Sequence, residues 1–257
     1  MKIIRIRELI SAVVIIVLMS SCKTIYRTNK VNTPVFKKKG ELQAELVTGS
    51  GGIEVQGAYS LTENLAFLVN GVYDNSRVRV MDTLQGVKNG NSEYSNVFIE
   101  GAVGYYKTFE PDSSKMIAIY LGGGVGETKG YNDLWQTDFL KYNSRYTRFF
   151  WQPTYGVIVK RNVELATALR FSFMNYHSLE VKDDVGTAFS TNSYDLFIDP
   201  VVTLKGGYEQ FKFIVQLGAS LPLKKQDYYT SSPFMLSFGF HLNFTRYWEK
   251  EDEFFDD

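Results

Sequence analysis

From Gly40 onward, apolar and polar residues alternate with a period of two, which places them on opposite faces of an extended strand. In ELQAELV (41–47), Leu42, Ala44 and Leu46 share one face, and Glu41, Gln43 and Glu45 share the other. In GIEVQGAYSL (52–61), Ile53, Val55, Tyr59 and Leu61 stand opposite Glu54, Gln56 and Ser60. Similar stretches follow at 65–73, 96–106, 116–126, 148–159, 163–176, 194–204, 211–221 and 234–244. The pattern therefore predicts about ten strands, most of them near or above the ~9–11 residues that a tilted strand needs to cross a bilayer. Strands of soluble proteins are usually nearer 5–6 residues.

The connections alternate as well. Short turns fall at Thr62–Asn64, Glu110–Lys115, Lys160–Asn162 and Lys205–Gln210, and longer loops at 74–95, 127–147, 177–193 and 222–233. The short TGSGG connection at 48–52 breaks this rule. Long loops on one side and short turns on the other are the pattern of a membrane-spanning barrel. The fold class expected is all-β: a closed antiparallel transmembrane barrel with short periplasmic turns and longer extracellular loops. An even strand number places both ends of the barrel on the short-turn side. Pro153 and Pro200 interrupt two strands and predict bulges or strand ends there. GGGVG (122–126) is not a nucleotide loop, because no helix pattern follows it and the alternation runs through it.

The first 39 residues follow another pattern. Lys2, Arg5 and Arg7 form a basic head, Leu9 to Met19 an apolar stretch, and Ser20 and Ser21 precede Cys22, the single cysteine. The apolar stretch is too short for a membrane helix and suits a signal peptide. This arrangement resembles the lipobox of bacterial lipoproteins, which implies cleavage before Cys22 and lipidation of its thiol. The basic residues behind it (Lys23, Arg27, Lys30) favour, by the same resemblance, the periplasmic side. Residues 22–39 read as a polar tether, 40–244 as the barrel and 245–257 as an acidic periplasmic tail.

The closing strand carries Ser237, Gly239, Leu242 and Phe244 in a polar-x-Gly-x-x-apolar-x-aromatic spacing. This resembles the assembly signal of small outer-membrane barrels of Gram-negative bacteria, of the OmpA/OmpW-like kind, here with a lipoprotein signal. The resemblance implies outer-membrane localisation and two partners: outer-membrane lipids and the barrel-assembly machinery. In that family the signal usually ends the chain, whereas here thirteen residues follow it.

Composition narrows the function classes. Basic and acidic residues balance at 28 each, so nothing points to nucleic acid. After Met19 no long apolar run occurs, which excludes a helical membrane protein. Aromatic residues make up 15% of the chain, as interfacial girdles require.

The face away from lipid collects Glu41, Glu45, Glu54, Glu100, Glu164, Asp195 and Asp199 with Arg148, Arg170, Lys212 and His241. Unpaired buried charges are costly, and barrels of about eight strands are filled by their own side chains. These residues therefore predict a plugged interior held by paired charges; a cation-leaning pore is the rival. His177, Ser178 and Glu180 have the residue types of a hydrolytic triad. Outer-membrane lipid A deacylases separate the His and Ser by one residue, whereas these two are adjacent. No spacing of a metal site stands out, and no cofactor is implied. The aromatic loop 130–143 (Trp135, Phe139, Tyr142) and the tail are candidate surfaces for an envelope partner. The reading is a non-enzymatic barrel with a structural or accessory binding role. A narrow passive channel, a lipid hydrolase and a tethered lipocalin-like carrier stand as alternatives.

Overall fold

The computed structural model describes residues 24–80, 90–109, 114–132, 140–160, 162–182, 188–223, 230–231 and 234–245. The alternating segments form ten long strands: β1 (Leu42–Gly49), β2 (Gly52–Ser60), β3 (Leu65–Val80), β4 (Gly90–Phe109), β5 (Lys115–Asn132), β6 (Leu140–Lys160), β7 (Val163–Lys182), β8 (Ala188–Gly207), β9 (Phe211–Ala219) and β10 (Phe234–Asn243). Each pairs antiparallel with its sequence neighbours, and β10 also pairs with β1, from Ser237 opposite Gly49 to Asn243 opposite Gln43. The sheet is therefore a closed ten-stranded antiparallel barrel. Within the ten-stranded ring closure leaves no edge. Beyond it, among the described residues, the extension of β3 past Tyr73 pairs on the β4 side alone, and that of β8 before Val201 pairs with β7 and, across from it, only with Leu221–Pro222.

The alternation orients the wall. Leu46, Ile53, Val69, Val103, Leu121, Phe213 and Leu217 point outward, with Phe213 still 60% exposed. Their neighbours Glu45, Glu54, Asn70, Gln152, Arg170, Thr203 and Gln216 point into the barrel and are fully buried. On β3 the outward face runs from Phe67 through Val69 to Tyr73, a rise of roughly 20 Å at the usual strand spacing. Tyr59, Tyr105, Tyr208 and Phe211 lie near the short-turn end of this band, while Tyr73, Phe149, Phe173 and Tyr194 lie toward the other. An apolar belt flanked by aromatics is the exterior that hydrocarbon demands.

Six strands run well past this belt. β3 to β8 are 16–21 residues long, against 8–10 for β1, β2, β9 and β10. The expected loops at 74–95, 127–147 and 177–193 are thus largely strand, up to Val80, Asn132 and Lys182 and again from Gly90, Leu140 and Ala188. Their outward residues Arg77, Glu93, Glu127, Lys129 and Arg145 are polar and form ion pairs with one another. Above the belt the outer face meets water, so the hydrophobic alternation stops while the ladder continues.

The prolines meet the expectation in part. Pro153 pairs opposite Ile119 and Pro200 opposite Leu169, but on its other side each falls in a gap of the ladder: β6–β7 pairing skips from Trp151/Phe171 to Thr154/Ala168, and β8–β9 pairing stops at Val201/Gly218, one step short of Pro200. The register irregularities lie at Arg145/Tyr146, Ile158/Lys160 and Tyr176/Leu179. Both prolines point outward, and each interrupts pairing on one side of its strand without shifting the register.

The largest difference concerns the expected tether. Residues 28–36, in place of hanging in solvent, run through the lumen, and all nine are buried. At the short-turn end, Lys37 and Lys38 donate backbone N–H bonds to Glu41, and the chain turns at Gly40 (φ 80°) into β1. At the other end, Thr24–Tyr26 pairs in parallel with Thr230–Ser231 in the connection between β9 and β10. The N-terminal end of the described chain therefore lies on the long-loop side, and β10 ends on the short-turn side. Both ends of the barrel wall, the start of β1 and the end of β10, lie on the short-turn side as chain parity expects; parity counts wall strands and cannot register a segment before β1 that goes back through the middle.

Candidate functional site: a clamped plug in a charged lumen

An extended segment inside a barrel has no neighbouring strand, so its backbone groups must be satisfied by wall side chains. Four glutamines do this. Gln56 donates to the Lys30 carbonyl (2.9 Å), Gln216 to that of Val31 (2.9 Å), Gln152 to that of Asn32 (2.8 Å) and Gln43 to that of Val35 (2.9 Å). Gln216 also accepts the Val31 N–H at 2.9 Å, so one side-chain amide serves both backbone groups of that residue. Glu54 accepts the Lys30 N–H at 2.8 and 3.0 Å through its two oxygens.

The plug's side chains match the wall level by level. At the outer rim, Arg27 donates to Asp74 (3.1 Å) and Ser76 (2.8 Å), and its guanidinium stacks 4.2 Å over Tyr94. In the middle, Lys30 pairs with Glu45 and donates to Gln56. Glu45 also holds Lys205 at 2.7 Å and lies 3.1 Å from Nδ1 of His241. Asn32 donates to Asn70 (2.8 Å), which donates to Glu100 (2.7 Å). Glu100 accepts from both Arg148 and Arg170. Arg148 reaches Asn29 at 2.7 Å, and the two guanidinium groups stack on Phe98 and Phe150. Thr33 donates to Thr203 at 2.9 Å. Near the short-turn end the wall becomes apolar, and Val35 and Phe36 pack with Leu68, Tyr106, Met116 and Tyr120. At the other end Tyr94, Phe98, Tyr142, Tyr146 and Tyr176 form an aromatic layer.

Two wall positions lack side chains where the plug passes. A Cβ on Gly156 would lie 2.7 Å from Val35 Cγ2, and one on Gly51 would lie 2.8 Å from the Thr28 carbonyl oxygen. Only glycine leaves room for so close an approach.

The structure brings most of the expected lumen residues together. Glu41, Glu45, Glu54, Glu100, Arg148, Glu164, Arg170, Asp195, Asp199, Lys212 and His241 are all buried on the inner face. Lys212 pairs with Glu164, and Asp199 accepts from Ser172 (3.2 Å) and Ser220 (2.6 Å). The sequence does not single out Lys205, whose position reads as the start of a turn, or the glutamines, whose polar character marks a face but not a task. It does not mark Lys30 and Asn32 as lumen residues, because the plug has no period. In the closing strand, Ser237 and Gly239 face the lumen, and Leu242 and Phe244 face outward. Thr245 ties the seam below them, accepting from the Leu42 N–H (2.8 Å) and donating to the Gly40 carbonyl (3.0 Å).

The candidate hydrolytic residues lie elsewhere. His177 is exposed on the outer face, where its Nε2 lies 2.6 Å from Thr147 Oγ1, and Ser178 pairs opposite Arg145. Cys22, Trp135 and Phe139 lie outside the described residues, as does the tail beyond Thr245. A lipocalin-like carrier requires a polar exterior and an apolar lumen. The observed polarity is the reverse, which overturns that alternative.

The fold and the lumen together define a membrane-type β-barrel closed by its own chain. No protein-family model and no curated protein matches the sequence. Among solved structures, the chain is similar to the translocator domain of autotransporter NalP from Neisseria meningitidis, with 11% identity and a TM-score of 0.44 over 79% of this chain and 86% of that one. It is also similar to Acinetobacter baumannii CarO2, with 7% identity and a TM-score of 0.32 over 79% of this chain and 98% of that one.

Proposed function

We propose that this protein is an outer-membrane β-barrel of a Gram-negative cell, lipidated at Cys22, whose plugged lumen does not conduct. It serves a structural or accessory binding role through the face built by its long strands. The observation that carries this reading is the clamped plug: residues 28–36 are buried at every wall level, and the charges that meet there are paired. A passive channel would need a continuous water path along the same axis. The outer-membrane lipids supply the solvent for the apolar belt, and the barrel-assembly machinery is the expected partner for the Ser237–Phe244 strand. A partner in the envelope would dock on the extramembrane strands.

The test is conductance in planar bilayers. The full chain is expected to give flat traces at high protein load, and a variant lacking residues 24–36 to give discrete openings. Steady openings from the full chain would replace this reading with that of a narrow channel. A boiled-against-unboiled gel shift for both proteins verifies that each is a folded barrel.

A further inference from the structure

We propose that the barrel carries its own N-terminal end through its lumen to the long-loop face, so that an acyl chain on Cys22 enters the outer leaflet and not the periplasmic one. This deepens the reading above and rests on it, since the membrane orientation comes from the barrel.

The chain path is held at both mouths and between them. At the long-loop mouth, Thr24–Tyr26 pairs with Thr230–Ser231, and Arg27 is fixed by Asp74, Ser76 and Tyr94. Between the mouths, Gln56, Gln216 and Gln152 take three successive carbonyls. At the short-turn mouth, Glu41 receives the N–H groups of Lys37 and Lys38. From Arg27 to Phe36 the segment makes nine residue steps. At ~3.3 Å per residue that is about 30 Å, the thickness of the hydrocarbon core.

Connectivity then decides where a lipid can go. Cys22 is two residues before Thr24. Two extended residues reach about 7 Å. A thiol that close to the long-loop mouth cannot return to the periplasmic leaflet on the far side of a ~30 Å core. A lipid in the periplasmic leaflet and a threaded plug are therefore mutually exclusive, and the buried, clamped plug selects the surface. The basic residues Lys23, Arg27 and Lys30, which favour a periplasmic anchor by resemblance, have another use here: Arg27 and Lys30 answer lumen carboxylates.

Three epitope-tagged forms of the full chain test this on intact cells. One tag is placed between Lys23 and Thr24, one within residues 133–139 and one after Thr245. The first two are expected to bind antibody on intact cells, and the third only after permeabilisation. If the 133–139 tag is exposed and the first is not, the threading falls while the barrel reading stands. If the 133–139 tag itself is hidden in a heat-modifiable barrel, the orientation falls and takes the proposal with it. Since a tag beside Cys22 can impede export, a second measurement omits it. The Thr33→Cys/Thr203→Cys pair replaces hydroxyls 2.9 Å apart. A disulfide between these positions in protein taken from cells is expected; its absence from the folded barrel overturns the proposal.

Discussion

The side-chain amide of Gln216, on β9, hydrogen-bonds both the N–H and the C=O of Val31, at 2.9 Å each. It does for the plug what a neighbouring strand does elsewhere in a sheet. The same amide also donates to Thr203 at 2.6 Å, which fixes its orientation. Gln216→Met keeps the volume and removes both bonds to Val31. Each stranded buried group costs ~1–3 kcal/mol. The midpoint of the unfolding-dependent gel shift in detergent should therefore fall in Gln216→Met, and fall less in Gln216→Glu, which retains an acceptor for the Val31 N–H. Equal midpoints for Met and wild type would mean that the plug is not clamped there.

Glu45 is shared by Lys30, Lys205 and His241, whereas Lys30 is one of several groups around it. Removing the shared partner leaves two buried lysines without their common carboxylate; removing Lys30 leaves Glu45 still paired. Breaking a buried pair costs ~3–5 kcal/mol. Glu45→Met should therefore destabilise the barrel more than Lys30→Met in urea titrations of the detergent-solubilised protein. The reverse order would place the plug's lysine, and not the wall's glutamate, at the centre of the network.

Gly156 stands where a side chain would strike Val35. Gly156→Val should push the lower plug aside without touching any charged group. The expected readout is intermittent conductance in bilayers from a variant that remains heat-modifiable. A silent, fully folded variant would show that the apolar layer around Phe36 seals the lumen by itself.

The described inner wall buries eight carboxylates (Glu41, Glu45, Glu54, Asp74, Glu100, Glu164, Asp195, Asp199) and four bases (Arg148, Arg170, Lys205, Lys212), while Arg27 and Lys30 come from the plug. Without the plug, the lumen keeps an acidic excess of four (8 − 4) on these groups. A variant lacking residues 24–36 should therefore select cations, giving a reversal potential on the potassium side in a salt gradient. Anion selectivity would contradict the wall charges as placed.

Val69 lies in the middle of the outward belt on β3 and is exposed. An arginine there costs ~2–4 kcal/mol if the position faces lipid near the midplane, and next to nothing if it faces water. Val69→Arg should lower the yield of heat-modifiable protein in membranes, whereas Asn75→Arg, on the same face above the belt, should not. Equal yields would remove lipid from the outer face.

Much of this architecture is written in the sequence by itself. A strand that separates two solvents repeats every two residues, so Leu46 against Glu45, or Leu169 against Arg170, states both the element and its two environments. Closure follows from strand number and length, because no open edge survives in hydrocarbon. The pattern ends where the outer face meets water, which is why the upper halves of β3 to β8 read as loops. The plug is legible only in three dimensions. A segment enclosed on all sides has no two faces to alternate between. Lys30, Asn32, Val35 and Phe36 follow the order of wall levels they pass, charged and then apolar, and that order exists only once the wall has closed. The same closure turned four ordinary glutamines into backbone partners and brought residues 24–27 to the long-loop mouth, a position that counting strands does not register.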